Sequence, residues 1–238
     1  MCHVSSTHGL SNGKIVTIQA YYTSQDLAPK FQTTDGSTAV QLWNRLFNNL
    51  FFNAAVNDIN LNNYTTNALN IQLYPNTYLF SVNSQGKRFT GDCCVLGFHT
   101  YIFDSSVTPT PIWLFAYASW ISPGLFHGGF QDITALSHEV SETFNDPLLN
   151  NLVPVWQFPG EPGACQNNLE TGDPLEVLPT ATVTLPIKER GTTFTYHPQT
   201  EALLQWFTQS SPSNALGGAF SYPDTTALTG PAIKGTCK

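Results

Sequence analysis

The sequence predicts an α+β fold arranged as a single domain, with strands, a long first helix, a second helix carrying the chemistry, and a loop-rich C-terminal part. Three observations lead there. A strand-like run, a helix-period segment, several further strand-like runs and a second helix-period segment follow in turn through the first 146 residues. Six prolines (Pro154, Pro159, Pro162, Pro174, Pro179 and Pro186) then interrupt the chain. Finally, 41% hydrophobic and 13% aromatic content in 238 residues suffices for one large core. Residues 1–146 are assigned to the sheet and the functional helix, and residues 147–238 to a loop-rich lobe with one helix.

Taken in order, Lys14 to Tyr22 alternates as a first strand should. Asp35 to Ser37 offer a helix start, after which Trp43, Leu46, Phe47, Leu50, Phe51 and Ala54 recur at helical spacing, giving a long amphipathic helix. The Asn-rich stretch from Asn57 to Asn70 reads as a surface loop. Strands follow at Leu69 to Tyr74, Tyr78 to Val82, Cys94 to Phe103 and Ile112 to Ile121. A last helix is predicted near Thr200 to Gln209, where Leu203, Leu204, Trp206 and Phe207 supply an apolar side. The remaining tail, with Gly217-Gly218 and Tyr222-Pro223-Asp224, is irregular and expected to wrap a core rather than build one.

Between the last of those strands and the proline-rich stretch lies His138-Glu139-Val140-Ser141-Glu142. On a helix, His138 and Glu142 are neighbours with Cβ atoms about 5–6 Å apart, close enough to grip one metal ion from the same side. Glu139 then sits beside the ion without binding it. That is the logic of the H-E-x-x-H helix, whose glutamate is the general base, with glutamate here replacing the second histidine. Ile133, Leu136, Val140 and Phe144 fall on the opposite side and are expected to face the core. Asp132 is the expected N-cap, and Asn145-Asp146-Pro147 the expected stop. A merely solvated polar face is the competing reading. It is less comfortable in a chain with 11% charged residues, against about 25% in ordinary domains.

Composition narrows the function classes. Nine Lys and Arg against sixteen Asp and Glu give a net charge of −7, which argues against nucleic acid as a partner. The longest apolar run, Ile112 to Ile121, is too short to span a bilayer. Abundant Asn, Thr and Ser, scarce Lys, and five cysteines (Cys2, Cys93, Cys94, Cys165 and Cys237) favour a secreted protein whose leader precedes the first residue here. At least one cysteine must stay unpaired, and the connectivity of the rest is not deducible from spacing. Asn63-Tyr64-Thr65 is a glycosylation sequon that matters only in a eukaryotic source.

Leu96-Gly97-Phe98-His99, Ser137-His138-Glu139-x-x-Glu142, Asp146-Pro147, Trp156 and Glu170-x-Gly-Asp173 together resemble a pattern of secreted zincin-like metallopeptidases. The resemblance extends distantly to the phosphate-induced, exordium-like proteins of plants. It covers the second half of the chain, reaching weakly to Ser221-Tyr222-Pro223-Asp224, and its most specific element is the SHExxE...DP segment. It implies a zincin-like domain in which a backing helix and a mixed sheet precede the metal helix, and a metal site without a named substrate.

A catalytic zinc needs three protein ligands and one open position, and the helix supplies two. Glu170-Thr171-Gly172-Asp173 is the first choice for the third, since it puts two carboxylates around a turn-forming glycine; the alternative is a capped turn with no metal. Asp146 is the second choice, and His99 and His127 are outsiders. One His with two carboxylates cancels the charge of Zn²⁺, so water on such a site ionises less readily than on a His₂Glu set. Oxygen-rich ligation leaves Mn²⁺ and Ca²⁺ open as alternatives. The leading expectation is a zinc-dependent hydrolase of peptides or amides with Glu139 as general base. Its rival is a non-catalytic secreted module with a structural metal or a Ca²⁺-binding carboxylate cluster. A serine hydrolase is a distant third, because no G-x-S-x-G elbow is present.

Overall fold

A computed structural model gives the structure of residues 2–11, 14–23, 31–32, 38–43, 55–56, 59–60, 64–80, 95–124, 126, 129–212 and 214–237. Both strands and helices are present, with short helices and several small sheets, as an α+β assignment requires. The chain forms two compact units, Met1–Leu125 and Phe126–Lys238, so the His138 helix belongs with the C-terminal residues.

The first unit is built on a five-stranded sheet in the order β2-β1-β5-β8-β7, comprising Lys14–Thr23, Cys2–Ser11, Leu69–Pro75, Ile112–Trp120 and Gly97–Phe103. It is mixed: β5 runs parallel to β8, and the other pairings are antiparallel. The strand predicted at Lys14 is second in the chain. Cys2–Ser11, which the sequence reading left without an element, pairs with it along its full length. A smaller sheet joins β3 (Phe31–Gln32), β4 (Thr38–Trp43) and β6 (Thr77–Phe80). Thr38–Trp43 is therefore strand where the amphipathic helix was expected to begin. Most of that predicted helix, residues 44–54, lies outside the described residues, as do Cys93, Cys94 and His127.

Around β5 and β8 the core is aromatic. Tyr64, Tyr74, Phe115 and Tyr117 bury together, with Tyr64 edge-on to Phe115 at 5.2 Å and Tyr74 edge-on to Tyr117 at 5.4 Å. Gln72 shares this interior because its polar atoms are satisfied: its Nε2 donates to the Tyr64 hydroxyl at 3.0 Å, and its Oε1 accepts from Tyr74 at 2.8 Å. His99 is buried in β7.

The second unit packs around Trp156, which is fully buried among Trp206, Phe207, Leu169, Leu175, Phe220 and Leu228. Its indole meets Trp206 at 5.4 Å and Phe207 at 5.6 Å, both edge-on, and donates to the Asn168 carbonyl at 3.1 Å. Trp206 and Phe207 come from a single helical turn, Leu204–Phe207, within the segment where the last helix was predicted. The segment after Asn145 carries more regular structure than its prolines suggested, namely β9 (Leu152–Gln157) with β10 (Cys165–Asn168) and the hairpin β11 (Leu185–Glu189) with β12 (Thr192–Tyr196). The tail wraps this core. Leu228 and Ala232 bury in it, the Gln157 amide oxygen accepts from Thr236 N at 3.0 Å, and a Cys165–Cys237 disulfide closes the chain end onto β10.

Candidate metal centre

The His138 helix spans Thr134–Asn145. It ends where expected, although not through a left-handed residue. At φ −139°, ψ 64°, Asp146 leaves the α region, which a following proline disfavours. At the other end the expected N-cap is corrected. Asp132 stands one residue too early, in a left-handed conformation at φ 42°, and its carboxylate binds His197 instead. Oδ2 meets His197 Nδ1 at 2.7 Å, and Oδ1 accepts from His197 N at 2.8 Å.

The larger correction concerns which face is buried. Thr134, Ala135, His138, Glu139, Glu142 and Thr143 form the buried side, while Leu136 and Val140 are only half-covered and Phe144 is 78% exposed. The apolar stripe was expected to take the core, yet the polar face is the one turned inward. The reason lies in its partners. Ser141 Oγ hydrogen-bonds Thr171 Oγ1 at 2.9 Å, Ser137 Oγ accepts from Gln199 N at 2.8 Å, and Thr134 Oγ1 donates to the His197 carbonyl at 2.6 Å. A small polar residue each turn lets residues 171–173 and 197–201 approach this side.

Those two segments complete the site. Leu169 and Leu175 are anchored in the tryptophan core, so the intervening residues are held against the helix. Asp173 Oδ1 lies 3.5 Å from His138 Nε2, and Glu142 Oε1 lies 3.0 Å from the same nitrogen. Asp173 is held in turn by the Gln166 side-chain amide. A Glu176 carboxylate oxygen joins the group, one donor atom from each of His138, Asp173 and Glu176 falling within 4.8 Å of the others. Glu139 is buried on the adjacent part of the helix face, with an oxygen within 4.8 Å of one from Glu142.

Gly172 explains itself here. Its φ of −84° is ordinary, so the glycine is not required by the turn. A Cβ at this position would stand 2.6 Å from His138 Cγ and 2.7 Å from Cε1, so only glycine lets the backbone lie against the imidazole. From there Gly172 N donates to Glu142 Oε1 at 3.0 Å. Gln199, 2% exposed, donates from Nε2 to the Gly172 carbonyl at 2.7 Å and turns Oε1 to His138 Nδ1 at 3.2 Å.

The charges shift accordingly. Burial works to lower the His138 pKa, but the Glu142 charge, hydrogen bonds to Asp173 and Glu142, and the Glu139 charge outweigh it and hold the imidazole well above its usual range. Glu176, exposed at the rim, is pushed up to about 7 by shielding of its carboxyl from water and next by Asp173. Glu201 is pushed up to about 8, chiefly by burial. Both Glu201 oxygens are buried and make no hydrogen bond of ordinary geometry among the described residues, while the Thr171 side chain works to lower the pKa.

Of the residues singled out from the sequence, His138, Glu142 and Asp173 converge, and Glu139 lies beside them. Glu170 is half-buried and does not belong to the group around His138. Asp146, fully buried, accepts from Asn150 N at 2.8 Å and Asn151 N at 3.0 Å, closing the turn after the helix. Gln199, Glu176 and Glu201 escaped the sequence reading. Glu176 could have been found, since it follows Asp173 by three residues, one helical turn. No known protein family, curated protein or solved structure matches the chain.

Proposed function

We propose that the protein is a secreted, divalent-metal-dependent hydrolase of peptide or related amide bonds, with His138, Glu142 and Asp173 holding the ion and Glu139 acting as general base. One observation carries this reading: His138 Nε2 faces carboxylate oxygens at 3.0 and 3.5 Å. Two donors bound at zinc-like distances with a tetrahedral angle between them stand about 3.3 Å apart. The donors are thus already spaced as they would be around an ion. One imidazole and two carboxylates neutralise Zn²⁺, and Mn²⁺ or Ca²⁺ also suit so many oxygens.

An ion there supplies Lewis acidity toward a carbonyl and lowers the pKa of water. The chain's own part falls to Glu139, which accepts the water proton and returns it to the leaving amine. The Cys165–Cys237 disulfide supports an extracellular setting. No helix among the described residues is long and apolar enough to cross a membrane.

Glu176 favours a second reading. If it joins the other three as a fourth ligand, no open position remains and the metal is structural. Calorimetric titration of chelator-stripped protein with Zn²⁺, Mn²⁺ and Ca²⁺ tests the site. His138→Ala and Glu142→Ala should each abolish stoichiometric uptake, and full occupancy in both would sink the assignment. Glu139→Gln then separates the readings. In the hydrolase it keeps metal and melting temperature while cleavage of a diverse peptide library falls about 10²-fold or more. A metal-loaded wild type that cleaves nothing, or a variant that cleaves equally well, moves the structural metal to the front.

A further inference from the structure

The contacts around His138 close into a ring: His138 Nδ1 to Gln199 Oε1, Gln199 Nε2 to the Gly172 carbonyl, Gly172 N to Glu142 Oε1, and Glu142 Oε1 back to His138 Nε2. Its chemistry runs in one direction only. The Gly172 carbonyl can only accept, so the Gln199 NH₂ must point to it; the reverse orientation would set two acceptor oxygens 2.7 Å apart. The Gln199 amide oxygen therefore faces the imidazole, and because it too can only accept, Nδ1 must carry a hydrogen. The lone pair of the neutral ring is left on Nε2, the nitrogen that faces Glu142 and Asp173.

We propose that Gln199 is the positioning residue of the metal centre: it holds His138 as the Nδ1–H tautomer and so makes Nε2 the metal-binding nitrogen. This rests on the metal reading above and adds what selects the ligating atom. Gln199 is fixed for the task from both ends, its backbone N–H by Ser137 Oγ at 2.8 Å and its side chain by Gly172. Carboxylates commonly orient metal-bound histidines in this way. Here Glu139, Glu142, Asp173, Glu176 and Glu201 already act on one another or on His138. A neutral amide orients the ring without adding another negative charge.

Gln199→Leu removes the acceptor at similar volume. With Zn²⁺ as probe, Gln199→Leu should bind about 10–100-fold more weakly than wild type. Nitrogen NMR of the His138 ring supplies the readout that a purely structural role would not move. The zinc-loaded wild type should show the metal on Nε2 and a hydrogen on Nδ1. Zinc on Nδ1, or Gln199→Leu binding within about twofold of wild type, overturns the proposal. If the wild type takes up no Zn²⁺, Mn²⁺ or Ca²⁺, the metal reading fails. The tautomer is then decided in the chelated protein at a pH above the ring's titration, where Nδ1–H upholds the lock and Nε2–H overturns it.

Discussion

Gly172→Ala is the substitution that discriminates best between a turn glycine and one that makes room for an imidazole. At φ −84° alanine suits the backbone, and in open space it would stabilise the protein by about 0.4–1 kcal/mol through the unfolded chain. The structure reverses that sign. An alanine Cβ would lie 2.6 Å from His138 Cγ and closer still to Nδ1, whereas ordinary contact begins at 3.4 Å, so the ring or the loop must yield by more than about 0.8 Å. Neither moves freely. The ring is tied to Gln199, and the loop to Glu142 and to the tryptophan core through Leu175. Overpacking of this kind costs about 1–3 kcal/mol, and metal–ligand distances hold to within about 0.2 Å of their usual values. Urea denaturation of the chelated variant should show that loss of stability, and zinc titration a loss of affinity of at least tenfold. A variant as stable as wild type or more so, with unchanged zinc affinity, would refute the close-approach argument.

Further outcomes follow from the same geometry. Asp173→Ala should abolish stoichiometric metal uptake while Glu170→Ala leaves it intact, read by calorimetry; the reverse pattern would hand the third-ligand role to Glu170. In chelated protein, His138, Glu176 and Glu201 all have raised pKa values, so the native state holds protons that the unfolded chain releases. Their stabilisation is complete below about pH 4.5 for the glutamates and below about 6.5 for the histidine, and it is lost as pH rises through the folded values. Denaturant midpoints should therefore fall between about pH 5 and 8, with Glu201→Gln flattening the curve; a midpoint that rises across this window contradicts the assigned shifts. Metal binding must displace the His138 proton, so titrations in buffers of different ionisation enthalpy should report proton release at pH 7, and none would count against His138 as ligand. The Cys165–Cys237 bridge spans 72 residues, and Cys237→Ser should cost about 4 kcal/mol in chemical denaturation; a loss below about 1 kcal/mol would show that the tail is held by Gln157 and the core alone.

The strand from Ile112 and the helix stop at Asn145 were legible in the sequence because each is local: an apolar run, or a proline that ends a helix. The strand at Cys2–Ser11 was not, since its residues are mostly polar and only its pairing with Lys14–Thr23 makes it a strand. Asp132 looked like a cap by residue type, but His197, 65 positions away, claims its carboxylate. At the site, the four-residue spacing gave His138 and Glu142, and the sequence narrowed the third position to a short segment without choosing between Glu170 and Asp173. Gln199 carries no motif signal at all. Its place depends on the segment between β12 and Glu201 meeting the helix from 61 residues downstream.

The inward turn of the polar helix face joins these points. A helix normally buries its apolar stripe because burying carboxylates unpaired is costly, yet Phe144 is exposed while Glu139 and Glu142 are 5% and 3% exposed. Serine and threonine at 134, 137 and 141 supply the hydrogen bonds that let the polar face pack. They cannot balance its charge. Without an ion, the balance is held by a protonated His138 and by carboxyls whose raised pKa values let them keep protons near neutrality. A divalent cation at His138 Nε2 would meet the same need with two charges at once. The packing that misleads the apolar-stripe rule is thus what would be expected of a helix folded around a cation rather than against a core.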